Sequence, residues 1–267
     1  MLSISPCLAP ATGRKSLSLI FYTNPNSRGR IVRWLLEEAG CDYETVVLDY
    51  QASSASDAWG GAALMRPADP NDPRQRFFTD INPMGKVPAL EHDGKVVTES
   101  GAICAYLADA FPAAGLAPDL ADRADYYRWL FFAAGPLEQA VTNHRAGFVP
   151  APGQEFFFGY GSYERTVNEL ERAVAEQPFI AGIRFTAADV YVGSHIGWGL
   201  GLGTLPARAA FTDYLGRLGE FYAEMAPLVA NGTITSRETI VDGLEAMPDA
   251  FLGLFEGANI GKMLVRL

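Results

Sequence analysis

Three short stretches of this chain set polar residues beside turn formers, and each is suited to holding charge. In Asn24-Pro25-Asn26-Ser27-Arg28 the hydroxyl of Ser27 precedes an apolar, helically periodic segment. A hydroxyl there sits among the free N–H groups and positive dipole end of a helix, a place that favours an anion. The plainer reading is that Ser27 caps the helix. Gly85-Lys86-Val87-Pro88 puts a cation and an X-Pro bond ahead of an apolar run, and Thr98-Glu99-Ser100 puts a carboxylate and a hydroxyl at a second strand-to-helix junction. Metal chemistry finds no support, because His92, His144 and His195 are scattered without ligand spacing. Cys7, Cys41 and Cys104 form no C-x-x-C pair, which argues against a disulfide framework, a zinc ribbon or a dithiol centre and favours a reducing compartment.

The elements that must position these groups follow from periodicity. Leu17–Tyr22 alternates like a strand and stops at Asn24-Pro25-Asn26. Val32, Leu35, Leu36 and Ala39 then recur at helical spacing, with Ser27 as the expected N-cap and Gly40 just past the end. Tyr43–Leu48 is a second strand, which completes a βαβ unit with parallel strands. Asp49–Phe78, rich in Ser, Ala, Gly, Asp and Pro, reads as a long insertion or lid. Val87–Glu91 and Lys95–Thr98 flank Asp93-Gly94, the signature of a tight hairpin, and a helix runs from Ser100 to Phe111-Pro112. The order is βαβ followed by ββα, the thioredoxin-like arrangement.

The remainder reads as helical. Tyr126, Tyr127, Trp129, Phe131 and Phe132 form an aromatic stretch whose spacing is mostly that of core residues. Phe156-Phe157-Phe158 and the glycine-punctuated run Gly197–Gly203 are further aromatic or packing segments. Thr186-Ala187-Ala188-Asp189 reads as a capping box, with Phe185 and Val190 as its hydrophobic staple. A net charge of −10 leaves no broad positive field, so nucleic acid is not an expected partner. No run approaches the length of a membrane span, so no membrane partner is expected, and residues 1–16 make a poor secretory signal and read as a disordered leader. These features together point to the cytoplasm.

Four of these segments carry a family resemblance. Asn26–Arg30 running into Trp34–Gly40, Asn82–Leu90, Thr98–Ile103, and Phe179–Gly182 followed by Phe185–Val190 resemble, in order, motifs of the bacterial and fungal cytosolic glutathione transferases, over roughly residues 17–226. The resemblance implies a thioredoxin-like glutathione-binding domain (17–112) and an all-helical electrophile-binding domain (113–226), an α/β plus all-α fold. It further implies glutathione as co-substrate, attack of its thiolate on a hydrophobic electrophile, and a homodimer. Ser27 would be the thiolate donor, with Tyr22 and Asn24 as alternatives, since classes of this family place the donor at different points of the loop. Val87-Pro88 resembles the family's cis-proline turn, which pairs with the cysteinyl unit. Glu99 and Ser100 would take the γ-glutamyl end, Lys86 the glycine carboxylate, and Arg28 would meet the anionic tripeptide. Tyr126, Tyr127 and Phe131 would line the electrophile pocket. Non-catalytic binding or stress-response members of the fold, and glutathione-dependent peroxidases or reductases, are the rival readings.

Residues 227–267 resemble something else: the stretch from Asn231–Ile234 through Asp249–Leu267 is similar to the C-terminus of NADP-dependent medium-chain reductases, where the residue matching Asn259 lies near the nicotinamide. No G-x-G-x-x-G fingerprint occurs in the chain, which argues against NADP as a cofactor.

Overall fold

The computed structural model describes residues 18–50, 64–69, 71, 72, 74–230, 238–242 and 262–266, with side chains through residue 219. Its first half is built on a four-stranded sheet of order β2-β1-β3-β4. β1 (Leu19–Thr23) lies parallel to β2 (Glu44–Val47), joined by α1 (Gly29–Ala39), and antiparallel to β3 (Ala89–His92), which turns back into β4 (Lys95–Thr98). The hairpin turns on Asp93 and Gly94 with φ of 50° and 79°, both positive, as the Asp-Gly pair predicts. α2 (Ser100–Ala110) follows at once.

Strand alternation divides two cores. Leu19 and Phe21 face α1 and α2, whereas Tyr22 faces the opposite side with Leu48, Leu64 and Ala89. That second face is closed by a π-helical turn, Phe77–Ile81, whose Phe77, Phe78 and Ile81 are buried. The expected insertion therefore does not extend to Phe78: its last residues are a structural layer of the sheet. Residues 51–63 of the insertion lie outside the described residues, while Tyr50 and Leu64 on either side form an antiparallel bridge.

The helical half comprises α3 (Ala124–Phe132), α4 (Glu138–Arg145), α5 (Tyr163–Glu176), α6 (Ala187–Gly201) and α7 (Ala209–Ala230). α3 and α4 are separated by a π-helical turn, Ala133–Leu137, around Pro136, whose missing N–H and ring bulk forbid a regular helical turn. α6 is the central rod and packs on α1, α2, α3 and α7. Apolar on all sides, as a buried helix must be, it is seated by Asp189. One apolar core runs without a break from Phe21 through α1, α2 and α6 to Tyr214 and Leu218 of α7.

The expected leader, 1–16, lies outside the described residues. Of the C-terminal stretch, β5 (Glu238–Asp242) and β6 (Lys262–Arg266) are described and pair in parallel. Asn259 lies outside the described residues.

Candidate functional site

Register gathers three of the four motifs at one end of the sheet. Tyr22 pairs with Ala89, and Ala89 pairs with Thr98. The next residue along each strand is Thr23, Pro88 and Glu99, so the β1–α1 loop, the Val87-Pro88 turn and the head of α2 share one edge. The Val87-Pro88 peptide is cis, and Val87 lies just outside the β3 ladder, which begins at Ala89. Lys86 is exposed beside it.

The β1–α1 loop is held by Asn24. Its Nδ2 donates to the Leu48 carbonyl (2.8 Å) and its Oδ1 accepts from the Asn26 N–H (2.9 Å), so both ends of the amide fasten the loop to the end of β2. The Asn24 carbonyl accepts from the Ser27 N–H (3.1 Å), from Ser27 Oγ (2.7 Å) and from Thr23 Oγ1 (3.4 Å). Ser27 Oγ in turn accepts from the Gly29 N–H at 3.0 Å, and the residue is 8% exposed. The cap position of α1 is Arg28, not Ser27 as expected. The chain turns into the helix one residue later, and Ser27 reaches forward to satisfy an orphan N–H from outside it. Glycine is required at 29: a methyl group on its Cα would lie 1.9 Å from Thr23 Oγ1 and 3.0 Å from Ser27 Oγ.

The two alternative donors are engaged elsewhere. The Tyr22 hydroxyl, on the far face of the sheet, donates to Glu91 Oε2 (3.1 Å) and accepts from Arg76 (3.3 Å), while Arg76 grips Glu91 with two bonds of 2.6 and 2.8 Å. Burial, then the bond to Glu91, raises the Tyr22 pKa above its ordinary value, and the Arg76 bonds hold Glu91 below the usual carboxylate range. Asn24 is spent on the loop. A hydroxyl that sequence reasoning missed lies closer: Tyr50, raised by burial, interacts with Ser27 and feels the charge of Arg28. Only the end of β2 being carried past Leu48 brings it there.

Glu99 has φ 68° and ψ 119°, turning the chain sharply into α2, and Ser100 is buried at the first position of that helix. No side chain caps α2, so its first-turn N–H groups await water or a ligand.

Arg28 donates to Glu138 Oε1 of α4, tying the head of α1 to the helical half. The other oxygen of Glu138 lies 3.7 Å from His195 Nδ1. Burial, then Arg28, pushes the His195 pKa down to about 3, so the ring is neutral and this contact is polar rather than ionic. His195 meets Tyr191 edge to face, centroids 4.7 Å apart. Nothing in the spacing of these residues announced the cluster, since Arg28 and Glu138 are 110 positions apart.

Of the aromatic residues expected at the electrophile pocket, Tyr126 is 1% exposed and packs in the core. Tyr127 is partly exposed and accepts from Arg123 (3.1 Å), and Phe131 is 73% exposed. The rings of Phe156 and Phe157 are also exposed and lie 4.0 Å apart. Thr186 and Asp189 form the capping box of α6. Among the described residues no group of three or more His, Cys, Asp or Glu is placed to hold a metal ion, and no helix is long and apolar enough to cross a membrane.

Known proteins share this architecture. Residues 27–110 match the model of the glutathione S-transferase N-terminal domain. The disulfide-bond oxidoreductase YghU of Escherichia coli is 30% identical over 215 residues, 75% of this chain and 67% of that protein. The glutathione S-transferase of a sphingomonad, solved in complex with glutathione, superposes with a TM-score of 0.55 at 27% identity, covering 80% of this chain and all of that one. The chain belongs to the glutathione S-transferase family, as the resemblance implied, and has its thioredoxin-like and helical halves. Two shorter likenesses accompany these. Protein LigF of a Sphingobium strain is 67% identical over 39 residues, only 15% of its own length. The NADPH-dependent curcumin reductase of Escherichia coli is 46% identical over 55 residues, 16% of its length.

Proposed function

We propose that this chain is a glutathione transferase in which Ser27 holds the glutathione thiolate. The observation that carries the reading is the shared sheet edge at Thr23, Pro88 and Glu99, where a loop hydroxyl, a cis-proline turn and an uncapped helix head meet. A free thiol with pKa about 8.5 is only a few per cent ionised at neutral pH, so a donor that favours the anion raises the reactive population. Ser27 can supply it. Its Oγ already accepts the Gly29 N–H, and turning its proton toward sulfur leaves the Asn24 carbonyl bonded by the Ser27 N–H and Thr23. In the reaction the thiolate sulfur forms a bond to an electrophilic carbon, whose leaving group departs with the bonding pair. Val87 pairs with the cysteinyl unit, Ser100 and Glu99 take the γ-glutamyl carboxylate and ammonium, and Lys86 takes the glycine carboxylate. Arg28 contributes charge from its pair with Glu138. Tyr127 and Phe131 offer apolar surface to the electrophile, the protein pairs as a homodimer, and it works in the reducing cytoplasm. The 227–267 stretch takes no part in NADP chemistry.

The test is a pH titration of enzyme-bound glutathione followed by its ultraviolet thiolate absorbance. The bound thiol is expected to ionise one to two pH units below the free one, a gain of about 1.4 kcal/mol per unit, and Ser27→Ala is expected to abolish that shift with most of the turnover while leaving glutathione affinity within a few-fold. An unshifted thiol in the unaltered protein refutes the catalytic reading and leaves a non-catalytic glutathione-binding member of the fold.

A second reading is favoured by the likeness to YghU: reduction of a disulfide by glutathione. The protein's own described thiols are poor agents for it. Cys104 is fully buried, and burial pushes Cys41 up to about 12, so in this reading glutathione itself is the attacking thiol. Comparing turnover on a small disulfide with turnover on an aryl halide separates the two.

A further inference from the structure

Tyr191 is a largely buried tyrosine packed against the head of α2. It lies on the second turn of α6, is 5% exposed, and forms no hydrogen bond among the described residues. Its ring is pinned from behind by His195, edge to face at 4.7 Å, and His195 is backed by Glu138, which also holds Arg28. In front, the ring presses on the first turn of α2. A methyl group on Gly101 would lie 3.2 Å from Tyr191 Cε1, 3.4 Å from Cζ and 3.6 Å from the phenolic oxygen. The hydroxyl therefore ends beside Gly101, the residue that follows Ser100 in the first turn of α2, whose head no side chain caps.

Two independent facts thus converge: the head of an eleven-residue helix with no capping side chain, and, beside its first turn, a tyrosine only 5% exposed whose hydroxyl bonds to no described residue and keeps some contact with solvent. A ligand that reaches this hydroxyl exchanges its water contact for a hydrogen bond to a charged group. We propose that Tyr191 is a further glutathione-binding residue, donating its phenolic hydrogen to the γ-glutamyl carboxylate at the head of α2. This rests on the reading of Ser100 as the γ-glutamyl site. The phenol keeps its proton because burial raises its pKa, so it acts as a donor and suits the carboxylate rather than the ammonium. The site then draws on both halves of the chain, and Glu138 and His195 act only by holding the ring in place.

Tyr191→Phe tests this, since it keeps the ring against Gly101 and His195 and removes only the hydroxyl. Calorimetric titration with glutathione and with γ-glutamylcysteine is expected to show binding weakened about tenfold, the scale of one hydrogen bond to a charged group. Cysteinylglycine, which lacks the γ-glutamyl carboxylate, should compete equally well against both proteins, and the variant should melt with the unaltered protein. Glutathione affinity within twofold of the unaltered protein overturns the proposal alone, as does an equal loss for cysteinylglycine or a change confined to the KM of the electrophile. Should the unaltered protein bind no glutathione, this proposal falls together with the functional reading beneath it.

Discussion

Replacing Asp189 by alanine should markedly destabilise the frame that positions the site. The carboxylate is 0% exposed and accepts four bonds, from the Ile180 N–H (2.7 Å), the Thr186 N–H (2.8 Å), the Thr186 hydroxyl (3.1 Å) and the Tyr214 hydroxyl (2.8 Å). The Thr186 hydroxyl can turn elsewhere; the other three donors are buried and lose this acceptor. Each stranded buried donor costs about 1–3 kcal/mol. Against this stands the relief of a buried charge, whose pKa desolvation has raised to about 6 despite the four donors. The difference from the ordinary value corresponds to about 3 kcal/mol at neutral pH. Three donors at about 2 kcal/mol each, less that relief, leave a net loss of about 3 kcal/mol. Urea unfolding at pH 7 measures it directly: with a slope near 2 kcal/mol/M the midpoint should fall by about 1.5 M at unchanged slope. Because Tyr191 and His195 ride on the same helix, glutathione affinity should fall in the fraction that remains folded. A midpoint shift below about 0.3 M would refute the donor accounting, for it would mean that water or Asn-like rearrangement satisfies all three groups at no cost.

Other perturbations probe the loop and the far face of the sheet. Gly29→Ala should cost about 1–3 kcal/mol by overpacking and reduce turnover, since the new methyl meets Thr23 Oγ1; pairing it with Thr23→Ala should restore part of both, measured by melting and by conjugation rate. Glu91 has its pKa lowered by Arg76, so its contribution is present above the unfolded value of about 4.3 and is lost as the pH falls through the folded value. Glu91→Gln should therefore flatten the acid limb of the stability profile below about pH 4, by a small amount because Arg76 is half-exposed; an unchanged limb would exclude the pair as its source.

Much of the frame was legible because local rules governed it. Alternation at Leu19 and Phe21, helical spacing at Val32 and Leu36, the Asp93-Gly94 turn and the Thr186–Asp189 box each lie within a few residues of the structure they specify. What escaped depends on distance along the chain or on a single residue of phase. Ser27 was expected to cap α1, yet the helix begins one residue beyond it and the hydroxyl serves the same N–H from outside. Phe77 and Phe78 follow the polar segment without a visible break, because a short π-helical turn has too few residues to display a period. Tyr191 and His195 sit in a helix apolar on every side, where sequence offers no face to distinguish a working residue from filling. Tyr126 shows the converse: an aromatic at the expected helix that the core absorbed.

The apolar interior that passes from Phe21 through α1, α2 and α6 to α7 has no seam between sheet and helices. Neither half can shed its partner without opening hydrocarbon to water on both sides, so the described sheet and helices should behave as one thermodynamic unit. Free energy gained by a tripeptide at the sheet edge is thereby shared with helices it never touches.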